Sequence, residues 1–196
     1  MTDLARLARE PLSRRRLLRL SGAGAVAGSA ALLAACGDKK PNTTTTLPPN
    51  DADVADVEIL NGVLDLELMS IEAYKAGAAA LTGAPLATVK RFLEQEQEHV
   101  DALSSAIKNA DGSPNAPKSS YRFPRMRNAR EVLRYAVSFE GQQIAAYIDA
   151  LPKLTNTDVR GTIAGILTTE GEHVAVLRGE LGQAPVQKAF VTGDER

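Results

Sequence analysis

The sequence predicts an all-α fold, a four-helix bundle in which a long connection crosses over between the second and third helices. Composition is the first reason, since only 4% of the residues are aromatic, tryptophan is absent, and Ala and Leu are abundant. This composition favours helix over sheet. Apolar residues also recur at helical spacing from position 53 onward. Finally, two of the connections between the predicted helices are short and one is long.

The first two predicted helices form an antiparallel hairpin. The first helix covers about residues 53–81 and ends before Thr82 and Gly83. Pro85 stands where a proline is tolerated in the first turn of a helix, and the second helix continues to about residue 109. The apolar stripe of the first helix consists of Leu60, Leu64, Ile71 and Tyr74.

The last two predicted helices form a second hairpin. Asn128, followed three positions later by Glu131, is typical of a helix N-cap. This third helix runs to about residue 151, where Pro152 ends it. The fourth helix covers about residues 157–181 and is followed by a glycine and then a proline, which are typical of a helix end.

Residues 111–127 connect the two hairpins and contain three prolines. A connection of 17 residues reaches roughly 50 Å when extended. A helix of about 25 residues is only roughly 38 Å long. The second and third helices can therefore run parallel, joined by a crossover along the side of the bundle.

The two predicted hairpins repeat each other in sequence. Each has the pattern Glu-x6-Tyr in its first helix and Glu-x-Glu-His-Val in its second. Six residues of the first hairpin recur 73 positions later. The pairs are Glu67 and Glu140, Ile71 and Ile144, Ala73 and Ala146, Tyr74 and Tyr147, Leu81 and Leu154, and Thr82 and Thr155. Six more residues recur 74 positions later. The pairs are Leu93 and Leu167, Glu96 and Glu170, Glu98 and Glu172, His99 and His173, Val100 and Val174, and Leu103 and Leu177. Two such units, related by a pseudo-twofold axis, would build one four-helix bundle.

The only two histidines of the chain each follow a glutamate by three residues, so each Glu-His pair lies on one helix face. That face is the apolar one, and four carboxylates buried in a bundle are unfavourable unless they are paired or bind metal. Two divalent cations would balance their four negative charges. One Glu from each of two helices and Glu-x-x-His from the other two is a recurring di-metal ligand set. The predicted metal ligands are Glu67, Glu96, His99, Glu140, Glu170 and His173.

With these motifs, residues 57–182 resemble the ferritin-like superfamily, in particular its symmetric members such as bacterioferritin, rubrerythrin and manganese catalase. The resemblance implies two metal ions, with iron favoured over manganese, and it implies a role for each residue. Glu67 and Glu140 would each bind one metal, Glu96 and Glu170 would bridge both, and His99 and His173 would each complete one metal site. Tyr74 and Tyr147 would hydrogen-bond the carboxylate of the opposite half and are the candidate catalytic residues.

Plainer interpretations of the same residues stay open at this point. Glu98 and Glu172 repeat as faithfully as the ligands do, but their helical positions point to solvent rather than to metal. Tyr74 and Tyr147 could simply cap the apolar core with a solvated hydroxyl group. For the six predicted ligands together, the alternative to a metal site is a helical bundle that no longer binds metal.

The N-terminal 35 residues have the character of an export signal. The segment from Ser13 to Arg19 resembles a twin-arginine motif, and the apolar stretch after it is too short to span a bilayer. The segment from Leu33 to Cys36 looks like a lipoprotein signal box, in which Cys36, the only cysteine, would carry the lipid. Residues 36–52 would then be a disordered linker, 53–182 the bundle and 183–196 a polar tail.

These features predict a lipid-anchored protein on the outer face of the cell membrane, with O2 or peroxide as a substrate of a ferroxidase- or peroxidase-like centre. Dimanganese catalase chemistry is a second enzymatic hypothesis. A metal-binding lipoprotein that docks a partner without turnover, and a purely structural adaptor, are the non-enzymatic ones. A homodimer is possible, whereas the mildly acidic body of the chain, about −5 without its first 35 residues, argues against nucleic acid. Met69 and Met126 are present, but neither can be assigned to haem.

Overall fold

The computed structural model describes residues 51–194, which form four helices and no strand. The helices are α1 (Asp51–Ala78), α2 (Gly83–Asn109), α3 (Ala129–Ala150) and α4 (Thr157–Glu180). The predicted all-α four-helix fold is therefore confirmed. The predicted export signal, Cys36 and all but the end of the predicted linker lie outside the described residues. None of the four helices combines the length and the apolar character needed to span a bilayer.

Local signals set the helix ends within a few residues of the predicted positions. At the start of α3, the Asn128 side chain accepts a 3.0 Å hydrogen bond from the Glu131 amide, as the predicted cap requires. At the end of α4, Gly182 takes a φ of +72°, and the Gln183 amide bonds back to the carbonyl of Arg178. Helix α1 ends three residues before the predicted 81, because a turn replaces its last helical bonds.

Contacts at the two ends of the bundle establish its topology. Gly77, near the end of α1, lies so close to Val132 in the first turn of α3 that an added Cβ would stand 2.8 Å from that side chain. Thr88, early in α2, bonds Glu180 at the end of α4. Helices α2 and α3 therefore start at the same end of the bundle and run parallel. They occupy diagonal positions, since the packed pairs are α1 with α2, α3 with α4, α1 with α3, and α2 with α4.

The core consists of two apolar clusters, one toward each end of the bundle. The first cluster, toward the α1 start, includes Leu60, Leu64, Leu103, Ile107 and Ile163. The second cluster, toward the α1 end, includes Leu81, Val89, Phe92, Val132 and Leu177. Four buried glutamates and two buried histidines lie between these clusters along the helices. The fold therefore encloses a polar layer that has apolar packing on both sides.

The segments outside the helices also pack on the bundle. The crossover is fixed to α1 where Asn115 hydrogen-bonds both Asn61 and Asp65. After α4, the tail turns back along the bundle. Its Val191 lies beside Gly171 of α4, and its Gly193 packs against Ala145 of α3. Within its described part the tail, predicted to be polar, also exposes apolar side chains, namely those of Val186, Phe190 and Val191.

Candidate metal centre

The structure brings all six predicted ligand residues together in the middle of the bundle. Glu67 comes from α1 and Glu140 from α3, while α2 and α4 each contribute a Glu-x-x-His pair. The four carboxylates are fully buried, and the two histidines are nearly so. The helical spacing that places these residues on apolar faces therefore also directs them to one point inside the bundle.

Two overlapping groups of ligand atoms could each hold one metal ion. Within each group, the ligand atoms all lie within 4.8 Å of one another. One group consists of Glu67, Glu96, His99 and Glu170, and the other of Glu96, Glu140, Glu170 and His173. Glu96 and Glu170 belong to both groups, which is the arrangement expected of bridging carboxylates. We refer to the two groups as the His99 subsite and the His173 subsite.

The Nδ1 atom of each histidine faces the carboxylates. In the His99 subsite, Nδ1 lies 3.0 Å from Glu170 Oε1 and 3.5 Å from Glu67 Oε2. In the His173 subsite, Nδ1 lies 3.3 Å from an oxygen of Glu96 and 3.3 Å from Glu170 Oε2. Because Glu170 presents one oxygen to each imidazole, it is positioned to share two ions.

Many polar atoms of this layer have no hydrogen-bond partner, although they are buried. Seven of them belong to the predicted ligands, namely Glu67 Oε2, Glu96 Oε1, Glu140 Oε2, both carboxylate oxygens of Glu170, and Nδ1 of His99 and of His173. Buried polar atoms are normally satisfied, and here most of the orphaned atoms are ones that could coordinate metal. Carboxylate and imidazole donors suit iron or manganese better than metals that prefer thiolate. The residues present therefore fit a pair of such ions.

Burial and crowding of like charges shift the pKa values of the carboxylates in the layer. The pKa of Glu67 and that of Glu140 are raised well above the usual value, first by burial and then by neighbouring carboxylates. Burial, followed by the charge of Glu96, also raises the pKa of Glu170. Without cations, the cluster therefore holds protons that the same groups would lose in water.

Glu96 and His173 form the charged pair of the cluster. Burial opposes ionisation of Glu96, but its close contacts with His173 and Glu67 outweigh burial and lower the pKa of Glu96 to about 2. Burial also opposes protonation of His173. The close carboxylates of Glu140, Glu170 and Glu96 nevertheless raise the pKa of His173 to about 12. A positive charge is thus strongly favoured at the point where these carboxylates meet.

The two predicted tyrosines connect the halves of the repeat. The Tyr74 hydroxyl donates a hydrogen bond to Glu140 Oε1, and the Tyr147 hydroxyl donates one to Glu67 Oε1. Burial, and then the charge of the bonded carboxylate, raises the pKa of each tyrosine well above 10. Both hydroxyls therefore stay protonated as donors, and a core-capping role with a solvated hydroxyl does not describe them. Their part in catalysis stays a prediction.

Three polar residues of the layer were not predicted from the sequence. Gln95 Oε1 lies 3.0 Å from Nε2 of His173, and Gln143 donates a 3.5 Å hydrogen bond to Glu96. Ser70 is fully buried, and its hydroxyl has no hydrogen-bond partner. Ser70 and Gln143 follow Glu67 and Glu140 by three residues, so helical spacing could have indicated both. Gln95 gives no such signal, because the repeat has threonine at the matching position.

The acids next to the histidines behave as the helical positions predict. Glu98 and Glu172 are exposed, although they repeat as faithfully as the ligands do. They are therefore suitable controls for any effect of removing a carboxylate from these helices.

Solved structures share this fold. A conserved hypothetical protein, rv2844, from Mycobacterium tuberculosis matches with a TM-score of 0.63 and 21% identity, covering 70% of this chain and 97% of that one. A ferritin-like diiron-carboxylate protein from Bacillus anthracis str. Ames matches with a TM-score of 0.58 and 25% identity, covering 67% and 99%. The dodecameric thioferritin, a bacterioferritin-related protein from Bacteroides fragilis, matches with a TM-score of 0.58 and 23% identity, covering 66% and 86%.

No curated protein matches the sequence. The family model for the ferritin-like domain matches residues 55–183, which include all four helices apart from the first turn of α1. The same residues contain the complete buried carboxylate and histidine cluster. This chain belongs to the ferritin-like domain family.

Proposed function

We propose that the protein is an oxidoreductase with a di-iron carboxylate centre that reacts with O2 or peroxide, of ferroxidase or peroxidase type. The observation that carries this proposal is the pair of overlapping ligand groups, in which seven buried ligand atoms have no hydrogen-bond partner. The Bacillus anthracis protein of the same fold is described as a diiron-carboxylate protein. The donor set suits iron and manganese equally. We favour iron because that protein of the same fold is described as a diiron protein.

Each residue of the cluster has a distinct task in this proposal. Glu96 and Glu170 would hold both ions, and His99 and His173 would each bind one ion through the Nδ1 atom that faces the carboxylates. Glu67 and Glu140 each have one oxygen held by a tyrosine hydroxyl and one oxygen left for metal. When bound there, a pair of iron ions supplies the electrons that reduce an oxidant. The apolar clusters on both sides keep bulk water from the layer.

Removal of the bridging carboxylates tests this activity directly. The purified full chain is loaded with two equivalents of Fe2+ without oxygen, and oxidation is then followed optically after addition of O2 or H2O2. The double variant Glu96→Ala/Glu170→Ala should lose bound iron and accelerated oxidation. The control Glu98→Ala/Glu172→Ala removes two exposed acids from the same helices and should retain both. Full iron oxidation in the first variant would contradict the assignment.

The same experiment separates the competing functions. A binding or partner-docking protein would retain two ions per chain but would oxidise Fe2+ no faster than solution does. A structural adaptor would bind no metal. Elemental analysis of protein isolated from its source cells, together with release of O2 from H2O2 without an electron donor, would identify dimanganese catalase chemistry.

The proposed location is the outer face of the cell membrane, with the bundle attached through a lipid on Cys36. The supporting observations are the arginine pair Arg14 and Arg15 and the cysteine at the end of the apolar segment. The double variant Arg14→Lys/Arg15→Lys should stay in the cytoplasm, whereas the control Arg16→Lys, next to the pair, should be exported. Cys36→Ser should abolish the mass of the lipid in intact-protein mass spectrometry. Export of the double variant at the normal level would refute the proposed route.

Assembly into oligomers is part of the proposal as well. The related protein from Bacteroides fragilis is a dodecamer, whereas a membrane lipid on every subunit of this chain would hinder a closed shell. We therefore favour a homodimer. Sedimentation of the purified full chain distinguishes a monomer, a dimer and a dodecamer.

A further inference from the structure

The internal repeat permits a comparison of the two subsites, residue by residue. The ligands match in both halves, but three of the positions near them do not. The differing pairs are Phe92 and Ile166, Gln95 and Thr169, and Ser70 and Gln143. All three differences lie next to ligands, so they make the two subsites chemically unequal.

His173 is held firmly from two sides. Its ring stacks on Phe92 with the ring centroids 3.9 Å apart, and its Nε2 lies 3.0 Å from Gln95 Oε1. Because a carbonyl oxygen can only accept, Nε2 carries a proton, and Nδ1, which faces the carboxylates, is the nitrogen that would give up its proton to bind a metal ion. An imidazole fixed in this tautomer and orientation is a preorganised ligand.

His99 lacks both of these supports. Ile166 stands at the position that corresponds to Phe92, and Thr169 stands at the position that corresponds to Gln95. The Thr169 hydroxyl bonds the carbonyl of Gly165 in its own helix instead. Across residues 51–194, no protein group hydrogen-bonds Nε2 of His99. Its side chain is also more exposed than that of His173, at 9% against 2%.

Gln143 adds a third difference at the bridging carboxylate. Its amide group donates to Glu96 Oε2, the oxygen that faces His99, whereas Glu96 Oε1 faces His173 and has no hydrogen-bond partner. An ion in the His99 subsite therefore competes with an amide proton for this oxygen. At the matching position, the shorter Ser70 makes no hydrogen bond to Glu170.

We propose that the two subsites have different tasks: the His173 subsite retains a resident metal ion, and the His99 subsite holds the ion that enters and leaves. This inference rests on the metal centre proposed above and identifies which of its two ions is exchangeable. Gln95 acts as a positioning residue through His173, and loss of such a partner typically weakens metal affinity by about 10- to 100-fold.

The presence of only two histidines makes this inference directly measurable. The full chain, labelled with 15N in histidine alone, is titrated with Zn2+ as a redox-inert probe while the ring nitrogen signals are followed by NMR. The signals are assigned with the single variant His99→Ala. Below one equivalent of Zn2+, the Nδ1 signal of His173 should shift before that of His99. The His173 subsite should bind Zn2+ more tightly than the His99 subsite by about 10-fold or more. Its Nε2 proton should also exchange slowly with solvent.

Variants at the two matching positions test the cause of the preference. Gln95→Leu should abolish the preference and the slow Nε2 proton exchange, whereas Gln95→Glu, which keeps an acceptor, should preserve both. Thr169→Gln gives His99 the missing acceptor and should bring the two affinities closer together. If both histidines shift together in the natural sequence, the inequality of the subsites is refuted while the metal centre stands. If Gln95→Leu leaves the order and the slow Nε2 exchange unchanged, the positioning role of Gln95 is refuted. Absence of Zn2+ binding would refute the metal centre itself.

Discussion

Tyr74 on α1 donates a hydrogen bond to Glu140 on α3, and the two residues belong to opposite halves of the internal repeat. Tyr147 makes the reciprocal bond to Glu67. Each half of the repeat therefore orients a carboxylate of the other half. An isolated helical hairpin could not complete either subsite, because both ligand groups also draw on both halves.

Removal of these hydroxyls should loosen the metal centre without unfolding the bundle. In Tyr74→Phe and Tyr147→Phe, a carboxylate loses its orienting donor while the ring keeps its packing. We expect the metal affinity to fall by about 10- to 100-fold and the free energy of unfolding to fall by only about 1 kcal/mol. Calorimetric metal titration and urea denaturation measure the two quantities. Unchanged affinity in both variants would leave the tyrosines with a packing role alone.

The stability of the metal-free protein should decrease as the pH rises from 5 to 8. Burial raises the pKa of Glu67, Glu140 and Glu170, so the folded state keeps protons that the unfolded chain releases above about pH 4.3. His173, with a pKa raised to about 12, acts in the same direction above about pH 6.5. The lowered pKa of Glu96 affects stability only below this range.

Thermal denaturation at several pH values checks this prediction. The metal-loaded protein is the control, because its cations replace the protons and should remove most of the pH dependence. A melting temperature of the metal-free protein that increased from pH 5 to 8 would contradict the electrostatic description of the cluster.

Asp56 should be a major stabilising residue far from the metal layer. Its buried carboxylate accepts hydrogen bonds from the amides of Thr155 and Asn156, at 2.8 and 2.9 Å, which attaches α1 to the turn before α4. Asp56→Ala leaves these donors without a partner, so we expect a loss of about 2–3 kcal/mol in the free energy of unfolding. Urea denaturation measures the loss. Glu58→Ala, at an exposed position of the same helix, should change the value by less than about 0.5 kcal/mol.

Gly193 should be needed for docking of the C-terminal tail. It has a φ of +85°, and an added Cβ would lie 2.4 Å from the Cβ of Ala145 and 2.7 Å from its backbone. We expect Gly193→Ala to release the tail and to accelerate proteolysis within residues 183–194, as measured by mass spectrometry of limited digests. The control Gly179→Ala adds a Cβ to the exposed side of α4, with no atom within 4 Å, and should leave the digestion unchanged.

The repeat explains why so much of this fold follows from the sequence. Two similar hairpins and one long connection leave few ways to bury both apolar faces, so the four helices and the crossover are predictable. The position of Glu67 between Leu64 and Ile71 similarly indicates a carboxylate inside the bundle. The structure places Glu67 there, fully buried.

What the sequence does not reveal depends on contacts between elements that do not repeat. Gln95 meets His173 across two helices, and its counterpart Thr169 gives no hint of this contact. Gly193 reaches Ala145 only because the tail turns back along the bundle, which a polar composition does not predict. Local periodicity fixes the face on which a residue lies, but it does not fix the residue that the side chain meets.

The parallel arrangement of α2 and α3 also has a consequence for how such a chain can arise. Each half is one helical hairpin, and the crossover runs along the outside of the bundle. Two copies of a single hairpin, paired about a twofold axis, would therefore place the same carboxylates and imidazoles in the same layer. Gene duplication and fusion would then supply the covalent link. Once both copies share one polypeptide, Gln95 and Thr169 can diverge, which no assembly of identical subunits permits.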